Sequence, residues 1–280
     1  MSLTSKRTLG SSAVLSVFLL CISCSSGPTA PEKGTPAFYW QAARETYAAG
    51  DYAKTLEHLD QLVASDNEFT ARALPWSLVL TSGLAAGHME LADDYAIGAR
   101  TNKSDRSGFR RAVSDSRGAA NRLALQFADN VGKLDKLKDG PVTLAFAFPK
   151  GSGAHVAQLN KITNGIVLPP AEAEMAQKRT LERGVVLAVC RAAGAPDDAA
   201  KTAEILKTGE AQIPRSTFRL AMAQTLFEES QLYVSTKLDE PQKMAILCER
   251  AQQVLKGVPE SKETKELSAK IEKAGKKKKT

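Results

Sequence analysis

Apolar side chains between Phe38 and Val63 recur every three or four residues, with one interruption at Ala49-Gly50-Asp51-Tyr52. Residues at that spacing share a helix face, so the pattern predicts two helices joined by a tight turn. Gly50 suits the left-handed conformation that ends a helix, and Asp51 can cap the next one. Leu56, Leu59, Leu62 and Val63 form the buried stripe of the second helix. The plan then recurs. Trp76, Val79, Leu80 and Gly83 lie on one helix, Ala86-Gly87-His88 reads as a turn, and Met89, Ala92, Ala96 and Ala99 mark another helix.

Residues 104–137 are helical by pattern, with Phe109, Val113, Ala120, Leu123, Phe127 and Val131 inward. Gly108, Gly118 and Gly132 weaken that helix, each by about 1 kcal/mol against alanine, and predict a split. The texture changes at Pro141. Residues 141–148 read as a strand, and Asn164-Gly165 is a hairpin-turn signal, so 141–170 is expected to be a β-like or loop insertion. Helical periodicity returns at Ala171 and runs to Ala193, ending at Gly194, and Asp197 or Asp198 caps a following helix. A longer helix spans 216–236, another starts at Asp239-Glu240-Pro241 and ends at Gly257, and a polar-faced helix covers 261–273. The expected fold is mostly α.

Gly50 and Gly87 are 37 residues apart, and Gly50-Asp51-Tyr52 matches the turn between the two helices of a tetratricopeptide repeat. In the second unit Trp76, Gly87, Ala92 and Ala99 occupy the aromatic, glycine and alanine positions of that family. The first unit departs from it, with Thr55 and Leu62 at the alanine positions and Asn67 at the final proline. The chain thus resembles a degenerate tetratricopeptide (TPR-like) scaffold of helical hairpins. The resemblance implies a stacked concave surface that holds a protein or peptide partner without chemistry. On it, Trp40, Tyr47 and Trp76 become candidate partner contacts, competing with the reading in which they pack between helices.

The start of the chain carries a different signal. Lys6 and Arg7 are positive, no acid precedes Glu32, and Ala13 to Ile22 is apolar but for Ser16. The run is shorter than the roughly 20 apolar residues of a bilayer span and reads as a secretory leader. Cys21-Ile22-Ser23-Cys24 resembles a bacterial lipoprotein cleavage box, with Cys21 where leucine is usual. That resemblance implies cleavage before Cys24, lipidation of its sulfur, and a membrane-anchored product. Ser25, in place of an aspartate, points to the periplasmic face of the outer membrane. Two or three acyl chains anchor stably, since each buried methylene contributes about 0.8 kcal/mol.

These patterns divide the chain into a leader at 1–23, a flexible tether at 24–36 and two TPR-like repeats at 37–101. A helical segment at 102–140, the insertion at 141–170, helical repeats at 171–273 and a basic tail at 274–280 follow. Loss of Lys6 and Arg7 takes the formal charge from +7 to +5, and Lys276 to Lys279 contribute much of what is left. Such a run usually marks a solvated terminus, and no nucleic-acid partner is expected.

Candidate chemistry is sparse. His58, His88 and His155 are the three histidines, and none has a second ligand at metal spacing. Neither a cofactor nor a metal site is expected, and the chain does not read as an enzyme. Lys150-Gly151-Ser152-Gly153-Ala154-His155 is a glycine-rich turn after a strand but matches neither a phosphate-loop nor a serine-hydrolase pattern. Asp93-Asp94 and Asp197-Asp198 are read as capping or solvated acids. The competing reading is an envelope hydrolase acting on peptidoglycan or lipid from a site in 141–170. That segment offers Lys150, Ser152, His155 and Lys161, with Glu172 close by, and no aspartate. A solute-binding lipoprotein, which needs two lobes of alternating strands and helices, fits least. Cys190 and Cys248 fall inside helical patterns as small core residues, and export leaves a disulfide between them open.

Overall fold

The computed structural model describes residues 31–276 apart from 103 and 138. The leader, Cys24, most of the tether and the end of the basic tail lie outside the described residues. Among the described residues there are ten α-helices and one two-stranded antiparallel pair, so the fold is mostly α. From Pro31 onward the chain packs as one unit.

The first hairpin forms as its caps dictate. Helix α1 (Pro36–Ala49) starts where Thr35 Oγ1 accepts from the Phe38 amide at 3.2 Å, so the expected tether stops short of residue 36. Gly50 at φ 78° closes α1, and Asp51 accepts from the Lys54 amide to open α2 (Tyr52–Val63). Leu56, Leu59, Leu62 and Val63 are buried as the periodicity requires.

The second expected hairpin does not exist. Helix α3 (Thr70–Thr101) runs unbroken for 32 residues, about 48 Å at 1.5 Å per residue, straight through Ala86-Gly87-His88. Gly87 is a contact residue there. A Cβ on it would stand 3.0 Å from Leu181 Cα, and one on Gly83 would stand 2.6 Å from Val185 Cα. Both residues opposed to them belong to α6 (Pro170–Ala192), whose own Gly184 would place a Cβ 2.2 Å from the Gly83 carbonyl oxygen. Gly83 and Gly87 sit one turn apart on the α3 face that meets Thr180 and Gly184, also one turn apart on α6. Two helix backbones can approach this closely only where Cβ atoms are missing. The glycine that resembled a repeat turn is the floor of a helix crossing.

Helix α4 (Arg106–Val131) is likewise continuous through Gly108 and Gly118, stops at Gly132, and packs along the other side of α3. Phe109, Ala120, Phe127 and Val131 are buried, while Val113 and Leu123 are half-buried. The helix outlasts its glycines because tertiary packing supplies more than the propensity they remove. A polar chain ties α2, α3 and α4 together. Gln126 and Ser77 both donate to Asp60, and Asn130 donates to Ser77. Burial pushes the Asp60 carboxyl up, while the Gln126 and Ser77 hydrogen bonds pull it back.

The insertion is not a local hairpin. Strand β1 (Val142–Leu144) pairs antiparallel with β2 (Ala211–Ile213), in register Val142 to Ile213 and Leu144 to Ala211. Helix α5 (Ala157–Thr163) ends directly before the expected Asn164-Gly165 turn, and Gly165 at φ 76° follows it. An Asn-Gly pair supplies a left-handed glycine, which ends a helix as readily as it turns a hairpin. The remaining helices are α7 (Ala199–Ile205), α8 (Arg215–Ser230), α9 (Pro241–Leu255) and α10 (Lys262–Lys276). Asp198 caps α7 as expected and α10 packs on α9, while α8 ends at Ser230, short of the expected 236, and a 3-10 turn follows it.

Glu229 on α8 is the one charged side chain among the described residues that is both fully enclosed and without a hydrogen-bond partner on either oxygen. Its neighbour Glu228 takes the Arg191 guanidinium at 2.6 Å. Burial, and then the Glu228 charge, hold the Glu229 carboxyl well above the carboxylate range, which favours its protonated form in the folded protein. An unfolded glutamate releases its proton near pH 4.3. Above that pH the unfolded state binds fewer protons than the folded state, and stability falls as pH rises. Glu229→Met should therefore raise the free energy of urea unfolding at pH 7.5 by about 1–3 kcal/mol and flatten its decline between pH 5 and 7.5. An unchanged or lower value would refute the assignment.

Candidate functional site

Two clefts with polar linings border the outer face of α6. The segment 150–153 crosses that helix, with Gly151 against Glu182 and Val186, and leaves a cleft on either side. Tyr52 donates its hydroxyl to the Lys150 carbonyl at 2.9 Å, which pins the segment to the α1–α2 hairpin. The first cleft, about 530 Å³, lies between the α1–α2 turn and α6. Leu84, Leu181, Ala49 and Ala53 give it apolar walls, and Asp51, Glu174, Lys178 and Glu182 ring it with charge. Glu174, Lys178 and Glu182 form no ion pair among the described residues.

The second cleft, about 320 Å³, is lined by Gly151 to Ala157 with Arg179, Glu182 and Arg183. Arg183 donates to the Gly153 carbonyl at 3.1 Å and to the Glu90 carboxylate, linking the glycine loop to α3. Glu90 and Asp94, one turn apart on α3, thus bring to the loop the carboxylates that 141–170 lacks. Burial and the Glu90 charge push Asp94 up to about 6, against the opposing pull of His155 and Arg183. Asp94 was expected to be a solvated or capping acid. With α3 continuous it is a mid-helix residue, half-buried, while Asp93 pairs with Lys237 at 2.7 Å.

This cluster does not assemble a nucleophile. Ser152 Oγ accepts from the Ala154 amide at 3.3 Å, and His155 Nε2 lies 3.1 Å from Asn160 Oδ1. Ser152 is engaged within the loop and His155 with α5, and among the described residues no hydrogen bond joins the two. Lys161 pairs with Glu172 at 2.9 Å, away from the loop. His88 is a half-buried helix residue where a turn was expected, its pKa lowered by burial and then by Arg122. Among the described residues no three His, Cys, Asp or Glu side chains are placed to hold a metal ion. Cys190 and Cys248 are free and buried.

Trp40, Tyr47 and Trp76, the candidate partner contacts, face inward. All three are buried around Phe146, whose ring centroid lies 5.3, 4.7 and 4.9 Å from theirs. Tyr47 also donates its hydroxyl to the Ala147 carbonyl at 2.8 Å. Residues 146–150 pack over these rings, held by the Tyr47 and Tyr52 hydroxyls.

The α6 charges were missed because periodicity separates inward from outward positions without ranking the outward ones. The pairing of Glu90 with Asp94 had a signal, the one-turn spacing, hidden by the expected break at Gly87. No protein-family model, curated protein or solved structure matches this chain.

Proposed function

We propose that this chain is a lipid-anchored helical scaffold of the bacterial envelope that holds a protein or peptide segment without chemistry, in the cleft between the α1–α2 turn and α6. The observation that carries the reading is that cleft: an apolar floor ringed by three acids, Asp51, Glu174 and Glu182, and one lysine. Concave sites with apolar walls and a few charges suit segments that bury small side chains and present opposite charge at the rim. The excess of acid selects a segment carrying lysine or arginine. The leader pattern and Cys24 support the anchor, and Ser25 supports the periplasmic face of the outer membrane.

A photo-crosslinking residue at Gln177 in intact envelopes should give a discrete protein adduct that the same residue at Gln253, exposed on α9, does not. Glu174→Lys with Glu182→Lys should reduce that adduct at least about 10-fold, the weight of one or two charge contacts. Labelling with an alkyne fatty acid should disappear on Cys24→Ser. An adduct insensitive to charge reversal would remove the cleft from the proposal, and absence of label would remove the anchor.

A further inference from the structure

We propose that the end of the molecule where α3 stops is a lipid-docking face, which takes an anionic membrane surface independently of any acyl chain on Cys24. The loop between α5 and α6 presents Ile166 and Val167, 50 % and 54 % exposed, side by side. Two such branched aliphatics are unusual on a loop held this firmly. The Gly165 amide donates to Ile162 O and the Ile166 amide to Lys161 O, each at 2.9 Å, and Asn102 Nδ2 donates to Gly165 O at 2.8 Å. Gly98 lets α3 close on the same loop, since a Cβ there would stand 2.5 Å from Ile162 O. Ile97 and Met175, from the adjoining ends of α3 and α6, are also exposed.

Cations crowd the same end. Arg100 in the last turn of α3, and Arg106, Arg110 and Arg111 in the first two turns of α4, are all exposed. None of the four forms an ion pair among the described residues. Of the acids nearby, Asp105 accepts from the Gly108 amide as the α4 cap, and Glu172 holds Lys161. Arg106, in the first turn of α4, opposes the helix dipole and costs stability. That placement is unexplained by folding. Guanidinium groups recognise phosphate oxygens in paired hydrogen bonds, and aliphatic side chains beside them enter the boundary between headgroups and acyl chains. Cations and exposed aliphatics at one end are the two ingredients of such binding.

The test uses residues 24–280 with Cys24→Ser, which retain the whole packed unit and carry no lipid. Co-sedimentation is measured with vesicles of mixed phosphatidylglycerol and phosphatidylcholine, and with phosphatidylcholine alone. The protein should bind the mixed vesicles, release them at high salt, and ignore the neutral ones. Arg106→Glu with Arg110→Glu and Arg111→Glu, and separately Ile166→Ser with Val167→Ser, should each lower binding at least about 10-fold. Acids at the start of α4 agree with its dipole, so the first variant should keep its circular dichroism and melting temperature. Absence of binding, equal binding to neutral vesicles, or binding that survives either variant overturns the proposal. A face that ignores vesicles yet crosslinks an acidic protein would be a protein surface, which overturns it too.

Discussion

Gly184→Leu should leave the chain unable to close the α3–α6 seam, with a stability loss of more than about 3 kcal/mol or no soluble folded product. Even the first added carbon has nowhere to go. It would meet the Gly83 carbonyl oxygen at 2.2 Å, and that neighbour is backbone, which cannot rotate aside. Moving α6 outward opens gaps along Val185 and Val189, both buried in the core. Packed interiors transmit such a shift instead of absorbing it. The control is Gly118→Ala, where the nearest foreign atom is the flexible Arg122 guanidinium at 3.8 Å. That variant should gain about 0.5–1 kcal/mol from helix propensity. Urea unfolding of both separates a contact glycine from a merely weak one. Two similar values would refute the close crossing.

Phe146→Ala should cost about 3–5 kcal/mol, the usual range for deleting a buried ring whose surroundings cannot collapse. Phe146 is 4 % exposed and touches Trp40, Tyr47 and Trp76, and Trp76 is completely buried. The loss should appear first in the near-ultraviolet circular dichroism and in a red-shifted tryptophan emission as water reaches Trp40 and Trp76. Far-ultraviolet helicity should persist until global unfolding. A near-native melting temperature would show that the ring is dispensable. The same geometry means that deleting 141–170 removes a core side chain, so such a deletion reports on folding before it reports on any partner.

Both results turn on residues that the sequence displays without explaining. Gly50 and Gly87 look alike in the chain, each flanked by alanine and polar residues. Gly50 has φ 78° and closes a helix, whereas Gly87 lies inside one and is needed only because Leu181 and Thr180 arrive from almost a hundred residues away. Phe146 reads as one of several apolar residues in a short strand, and nothing local says that three aromatic rings will surround it. Two carboxylates, Asp198 and Glu229, divide in the same way. Asp198 caps its helix four residues after Gly194, a local matter, but Glu229 is orphaned by what packs around α8.

The sequence by itself determined the secondary-structure class, the Gly50 end of α1, the capped starts of α2 and α7, and the buried stripe of α2. Those features depend on atoms within about one helical turn of each other, where backbone geometry and side-chain spacing leave few alternatives. The tertiary structure alone decided that α3 is one helix, that β1 pairs with β2, and that Glu90 and Asp94 meet the glycine loop. It also decided that the aromatic positions face inward. Each of these depends on which distant surface arrives opposite a given residue. That choice is made by shape and burial summed over the whole packed unit, and no window of the chain carries it.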